Sequence, residues 1–323
     1  MKTLLVGYRA ADLLVKGRHG KLEPSPVLAD GEVVCHTLDI YHRHAIEKTV
    51  HAKTVCSAHL PEGPWDLIRF KTGPKIHSGE LALDLLQEIH RLAPEAKLWG
   101  GSGAGTAVEL EFEGRERDRN DLLDKVRKDK NRVRDFSATW KSSVPGIDPV
   151  EFTSYPGCFC HRRPDEGGLS LAEVVSKELL GCGKALKILD MGCGCGLVGL
   201  LIAKRLGDGS DLVLVDSHAR ATEAAEFNAE KLGCAAEIIL SDNGTPARMD
   251  GTFDVFVGNP PYYSDYRIAD VFLETARRAL RPGGICYSVC KNAAGLEPVQ
   301  RKYFPQVEII RRRGYAVLKS VKG

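Results

Sequence analysis

LKILDMGCGCGLVGL, residues 186–200, decides the fold. An apolar run ends at Asp190, glycines follow at 192, 194, 196 and 199, and the apolar spacing after Leu197 is helical. A strand that turns through glycines into a helix opens a doubly wound α/β sheet, in which ligands lie at the carboxyl ends of the strands. Glycine permits the sharp turn and close approach of backbone to ligand, and the helix N-terminus favours an anionic group. Two cofactor classes fit this frame. Gly194-x-Gly196-x-x-Gly199 matches the dinucleotide fingerprint, and Asp216, twenty residues beyond Gly196, is placed to hold a ribose in either case. Asp190, two residues before the first glycine, would attract an ammonium and disfavour a pyrophosphate.

Downstream, a βαβ succession continues: helix 197–206, strand 211–215, helix 219–232, strands 236–240 and 253–258, helix 269–280 and strand 285–290. Asp242 falls just past one of these strands, where it could accept from an adenine amine or simply close a turn. The most specific signal is FDVFVGNPPYY, 253–263, which puts Asn259-Pro260-Pro261-Tyr262 directly after a strand. Proline fixes φ, carries no N–H and holds the preceding residue extended, so the corner is rigid and rich in acceptors. The Asn259 side-chain oxygen and the Pro260 carbonyl can accept both hydrogens of a planar amine, and Tyr262 can stack on its ring.

Upstream, strand-like runs at 3–6, 33–38, 53–58, 65–70 and 97–100 accompany one strongly amphipathic helix, SGELALDLLQEIHRLAPE, with Ser78 as N-cap and Pro94 beyond its end. Residues 115–135 read as a charge-dense helix and SSVPGIDP, 142–149, as a linker, so the expected domains are 1–148 and 149–323. An offset of 188 residues puts Trp65-Asp66-Leu67-Ile68 on Phe253-Asp254-Val255-Phe256 and Leu85, Leu92 and Pro94 on Leu273, Leu280 and Pro282. That pattern suggests a duplicated unit, with Lys71-Thr72-Gly73-Pro74 standing where the second copy has Asn259-Pro260-Pro261-Tyr262.

The 45 Lys and Arg against 43 Asp and Glu exclude a generally basic nucleic-acid binder, so any such surface must be local. Candidates are Arg162/Arg163, Lys291, Arg301/Lys302, Arg311–Arg313 and the 115–134 helix. No apolar run reaches the ~18 residues of a membrane span. The ten cysteines, with Cys158/Cys160 and Cys193/Cys195 outside C-x-x-C spacing, read as reduced thiols of a cytoplasmic protein with no metal.

DMGCGCG, Asp216, Asp242 and NPPY together resemble the class I S-adenosylmethionine (AdoMet) methyltransferases. Adding FTSYPGCFCHRRPDEGG, 152–168, and the closing GYAVLKSVK, 314–322, the second half is similar to the small methyltransferase domain of bacterial ribosomal RNA guanine-N2 methyltransferases. The resemblance implies a Rossmann-like catalytic domain preceded by a degenerate copy. It also implies AdoMet held by Asp190, Gly192, Cys193, Gly194, Gly196, Asp216, Ser217, Asp242 and Asn259, catalysis at Asn259, Pro260 and Tyr262, and substrate contacts from Pro261 and Lys291. The expected partner is ribosomal RNA or a ribosomal subunit. This chain carries tyrosine where the family usually has NPPF, and lacks the usual His-Asp-Gly after the motif. The alternatives are a release-factor glutamine N5-methyltransferase, a DNA amino-methyltransferase, a noncatalytic AdoMet- and RNA-binding assembly factor, and a dinucleotide oxidoreductase. The first usually follows an all-helical bundle, whereas residues 1–100 here read as strands.

Overall fold

In a parallel sheet covered by helices on both faces, successive side chains of one strand must feed two different cores. The computed structural model, which describes residues 1–17, 21–29, 31–94, 106–128, 134–182, 185–207, 209–261 and 266–323, shows this in each of two units, Met1–Phe136 and Ser137–Gly323.

The first unit contains β1 (Lys2–Val6), a two-stranded antiparallel pair β2 (Leu14–Lys16) and β3 (Leu22–Pro24), β4 (Glu32–Thr37), α1 (Ile40–Val50), β5 (Lys53–Cys56), β6 (Leu67–Thr72), α2 (Gly79–Leu92), β7 (Ala107–Phe112) and α3 (Glu116–Lys128). Its main sheet is parallel in the order β5-β4-β1-β6-β7. Leu4, Val6, Ile68 and Phe70 face Leu81, Leu85 and Ile89 of α2, while the alternate residue Leu5 joins Cys35, Ile46 and Val50 of the α1 side. α1 escapes the sequence reading because only Ile40, Ile46 and Val50 of IYHRHAIEKTV are buried; its start is set by Asp39, whose Oδ1 accepts from the Tyr41 N–H at 2.8 Å. The strand expected at 97–100 lies outside the described residues.

The second unit opens with β8 (Ala138–Ser142) paired antiparallel to β9 (Val150–Ser154), followed by α4 (Glu166–Leu179), β10 (Lys187–Met191), α5 (Leu197–Leu206), β11 (Asp211–Asp216), α6 (Ala219–Lys231), β12 (Ala236–Leu240), β13 (Phe253–Gly258), α7 (Arg267–Ala279), β14 (Leu280–Cys290), α8 (Ala293–Tyr303), β15 (Glu308–Arg312) and β16 (Tyr315–Val321). The sheet order is β12-β11-β10-β13-β14-β16-β15, with β16 antiparallel to both neighbours. Ile188, Leu212, Leu214, Val255 and Val257 pack beneath α4, α5 and α6; Leu189, Met191, Val213, Val215 and Phe256 pack beneath α7 and α8.

The expected linker at 142–149 is instead the connection of the β8–β9 pair, so the units divide after Phe136 and not after residue 148. Proline and glycine in SSVPGIDP mark a turn, and a turn inside a hairpin has the same composition as a linker. The two sheets share one plan: counted within each unit, both place the parallel strands third, second, first, fourth, fifth. The offset of 188 residues carries Gly79, the first residue of α2, onto Arg267, the first residue of α7. Among the described residues no helix is long and apolar enough to cross a membrane.

Candidate active site

In the second unit the chain order reverses between β10 and β13, and a ligand crevice opens outside the strand ends at such a reversal. The glycine loop lies there. Gly192 and Cys193 donate their N–H groups to the Val215 carbonyl at 2.8 and 3.0 Å, fastening the loop to the end of β11. Gly192, Gly194 and Gly196 have φ of 71°, 56° and 86°, in the left-handed region. A Cβ on Gly192 would stand 2.7 Å from the Phe272 ring, whereas one on Gly194 would meet nothing within 4 Å. A side chain at exposed Gly192 would therefore clash with Phe272, whereas one at half-buried Gly194 would face open space.

Three acids mark the strand ends on one side of this loop. Asp190, in β10, is 1% exposed, and its Oδ2 accepts from the Gly199 N–H at 2.8 Å. Burial lifts its carboxyl to about 7, against the pull of the Gly199 N–H and with a further push from Asp216. Gly199 keeps α5 close: a Cβ there would lie 3.1 Å from Asp190 Oδ2 and 2.7 Å from Leu214. Asp216 ends β11, accepting from the Gly194 N–H at 2.9 Å through Oδ2 and from the His218 N–H at 2.9 Å through Oδ1. Ser217 follows it, half-buried, and Asp242 is half-buried two residues beyond β12. Burial pushes the Cys193 thiol well above its ordinary value and the Cys195 thiol up to about 12, so both stay protonated, and Cys193 Sγ donates to the Gly194 carbonyl. Among the described residues no three His, Cys, Asp or Glu side chains come together as a metal would need.

Across the reversal, β13 ends at Gly258 and delivers Asn259, buried Pro260 and half-buried Pro261; Tyr262 lies outside the described residues. Asn259 Nδ2 donates to Asp165 Oδ2 at 2.7 Å. Lys291 leaves the end of β14 exposed, its ammonium 5.7 Å from the centroid of the Tyr315 ring. The Tyr315 ring in turn lies against the first turn of α4, 3.1 Å from where a Gly167 Cβ would be. Asn259, Asp165, Tyr315 and Lys291 thus follow one another along the β13–β14 side of the crevice.

Asp165, Tyr315 and Phe159 carry no role in the sequence reading. Phe159 is 71% exposed. Its loop is nonetheless pinned: Ser154 Oγ accepts from the Arg162 N–H at 3.3 Å and contacts His161 Nδ1 at 3.0 Å, Cys158 Sγ donates to the Arg220 carbonyl at 3.4 Å, and buried Arg220 donates to the Pro156 carbonyl at 3.3 Å. Arg162 and Arg163 are exposed beside it. The other basic candidates are largely committed within the protein. Arg301 pairs with Glu297 at 2.7 Å, Lys302 with Asp270 at 3.1 Å, and Arg312 and Arg313 both hold buried Glu173. Just before α3, Arg115 pairs with Asp118 of its first turn at 3.0 Å.

In the first unit the corresponding strand ends are closed by charge. Lys71, at the end of β6, is 6% exposed and its Nζ lies 2.8, 3.1 and 2.6 Å from carboxylates of Asp12, Glu111 and Glu113. Tyr8 donates to Glu111 at 2.9 Å, and a Cβ on Gly7 would collide with the Lys71 carbonyl at 2.1 Å. β1 and β6 therefore meet without the space that the glycine loop opens between β10 and β13.

Residues 149–319 match the family model described as methyltransferase small domain. Among curated relatives, a ribosomal RNA small subunit methyltransferase C from Haemophilus influenzae (strain PittGG) is 26% identical over 194 residues, 59% of this chain and 56% of the relative. The protein of that name from Alcanivorax borkumensis is 33% identical over 151 residues, 46% of this chain and 44% of the relative. The matches span about half the length of these relatives. Among solved structures, a 16S rRNA N2-guanine methyltransferase from T. thermophilus, in complex with AdoMet and guanosine, superposes with a TM-score of 0.73 at 17% identity. The superposition covers 100% of this chain and 88% of that one, and shows that the fold is shared.

Proposed function

The chain belongs to the methyltransferase small domain family, and from that premise we propose that it transfers a methyl group from AdoMet to the exocyclic N2 amine of a guanine in ribosomal RNA, in the cytoplasm. The observation that carries the reading is the division of the crevice. Asp190, Asp216 and Asp242 end three adjacent strands on one side of the reversal, and Asn259-Pro260-Pro261 ends the strand on the other. The names of the curated relatives and the two ligands of the solved neighbour agree with it.

The residues fit AdoMet. Gly194 opens on free space, buried Asp190 can receive the methionine ammonium, Asp216 the ribose hydroxyls and Asp242 the adenine amine, with Ser217 beside them; buried Cys193 and Gly196, which packs on Leu200 and Leu214, would shape the loop from behind. When bound, AdoMet supplies an activated methyl on a sulfonium, so the protein's contribution is alignment and well-placed acceptors. The Asn259 oxygen and the Pro260 carbonyl would accept the two amine hydrogens and so turn the nitrogen lone pair toward the methyl donor, whose carbon–sulfur bond would break as the carbon–nitrogen bond forms. The amine proton leaves to solvent after transfer. Tyr262 and Pro261 would flank the base, and Lys291 and Arg163 would meet phosphate. Exposed Phe159, on its pinned loop, offers a stacking face to an unpaired base.

The first unit would then be a noncatalytic copy that helps hold RNA: it repeats the strand order, while Lys71 and its three carboxylates fill the place where a cofactor would enter. Its five-stranded parallel sheet is not the helical bundle that precedes release-factor methyltransferases. The test is transfer of labelled methyl to ribosomal RNA, isolated small and large subunits and a release factor, followed by nucleoside analysis. Label recovered as N2-methylguanosine is expected. Label on protein glutamine, or none beside tight AdoMet binding, would overturn the reading.

A further inference from the structure

We infer that Asp165 is a positioning residue that sets which end of the Asn259 carboxamide faces the acceptor amine; the inference rests on the methyltransferase reading above. A carboxamide is nearly symmetric in shape and opposite in chemistry at its two ends, so packing alone does not choose its orientation. Turned one way, Asn259 presents an acceptor to an amine. Turned the other way it presents a second donor, and the amine has no partner. Asp165 breaks the symmetry because a carboxylate only accepts: its Oδ2 lies 2.7 Å from Asn259 Nδ2, and the flipped amide would set oxygen against oxygen at that distance.

Asp165 is itself held still. The same Oδ2 accepts from the Gly168 N–H at 2.6 Å as the N-cap of α4, and Oδ1 accepts from Cys160 Sγ at 3.7 Å. Gly167 and Gly168 leave it room, since a Cβ on either would stand 3.2 or 3.3 Å from Oδ2. The adjacent glycines of Asp165-Glu166-Gly167-Gly168 thus serve the cap, and the cap serves Asn259, 94 residues away in the chain.

Three variants of the full chain separate this role from a structural one. Asp165→Asn keeps an oxygen at the capping position, where it can still accept from Asn259, and is expected to retain kcat within about threefold. Asp165→Ser keeps the cap but cannot reach Asn259; kcat is expected to fall about 10- to 100-fold, with AdoMet affinity within twofold of wild type. In an Asn259→Ala background, Asp165→Ser is expected to cost less than twofold more, which also cancels any loss through the helix cap. Equal losses in both backgrounds, or full turnover by Asp165→Ser, would overturn the role of Asp165 while leaving the reaction standing. Full turnover by Asn259→Ala would overturn the catalytic reading of Asn259 itself.

Discussion

Lowering the pH is expected to weaken AdoMet binding by protonating Asp190. The carboxyl is 1% exposed and burial lifts it to about 7, so below pH 7 the free protein mostly holds a proton there that binding of an ammonium must expel. With a free-state value of about 7, the ionised fraction drops from roughly three-quarters at pH 7.5 to about 3% at pH 5.5, and affinity should fall about 25-fold across that interval. Titration calorimetry in two buffers of different ionisation enthalpy reads both the affinity and the proton released. Asp190→Asn is the control, because its amide oxygen can still accept from the Gly199 N–H while the titration disappears. In the unliganded protein the sign reverses. A carboxyl raised from about 4 when unfolded to about 7 when folded favours the native state below pH 4, and that contribution is lost as pH rises to 7, a difference of about 4 kcal/mol. Asp190→Asn should therefore raise the unliganded Tm at pH 8 while weakening AdoMet binding. A wild-type affinity flat from pH 5.5 to 7.5, or the same slope in Asp190→Asn, would refute the assignment of Asp190 to the ammonium.

Two glycines of the loop should fail differently. Gly194→Ala, with its Cβ in open space, is expected to lose about 1 kcal/mol of stability from the left-handed backbone and more than tenfold in AdoMet affinity. Gly192→Ala, 2.7 Å from the Phe272 ring, should cost a further 1–3 kcal/mol in chemical denaturation. Removal of residues 1–136 is expected to leave AdoMet affinity within a few-fold and raise the RNA concentration needed for half-maximal methylation; a truncation at 145 should instead unfold readily, because it strips β8 from β9. Phe159→Ala should raise the KM for RNA several-fold with unchanged Tm and AdoMet affinity, since a side chain 71% exposed contributes little to the core.

The parallel sheet of the second unit was legible because its strands are apolar on both faces and its turns are glycine-rich, so pattern and tertiary role coincide. Elements whose order comes from a few contacts were not. α1 buries three side chains, and the β15–β16 pair carries three arginines that look like an RNA surface. In the structure, Arg312 and Arg313 hold Glu173, a partner 139 and 140 residues away that no local pattern links to them. Asp165 escaped for the same reason. Its helix cap is a local signal, but its bond to Asn259 spans 94 residues.

The two units show how little of the shared strand order specifies chemistry. Both have the reversal at which a ligand crevice belongs, between β1 and β6 in one and between β10 and β13 in the other. In the second, glycines hold the backbone open and the charge beside it is a buried carboxylate with one N–H partner among its hydrogen bonds, Gly199, so a cation can still be received. In the first, a lysine occupies the end of the fourth strand and three carboxylates satisfy it from within. An ammonium-bearing cofactor would have to displace the buried Lys71 ammonium from those carboxylates, meeting a like charge and no uncommitted acid, and that exchange costs free energy before any binding begins. Because that cost follows from Lys71 and not from the sheet, the first unit can keep the full parallel order and still be closed to the cofactor.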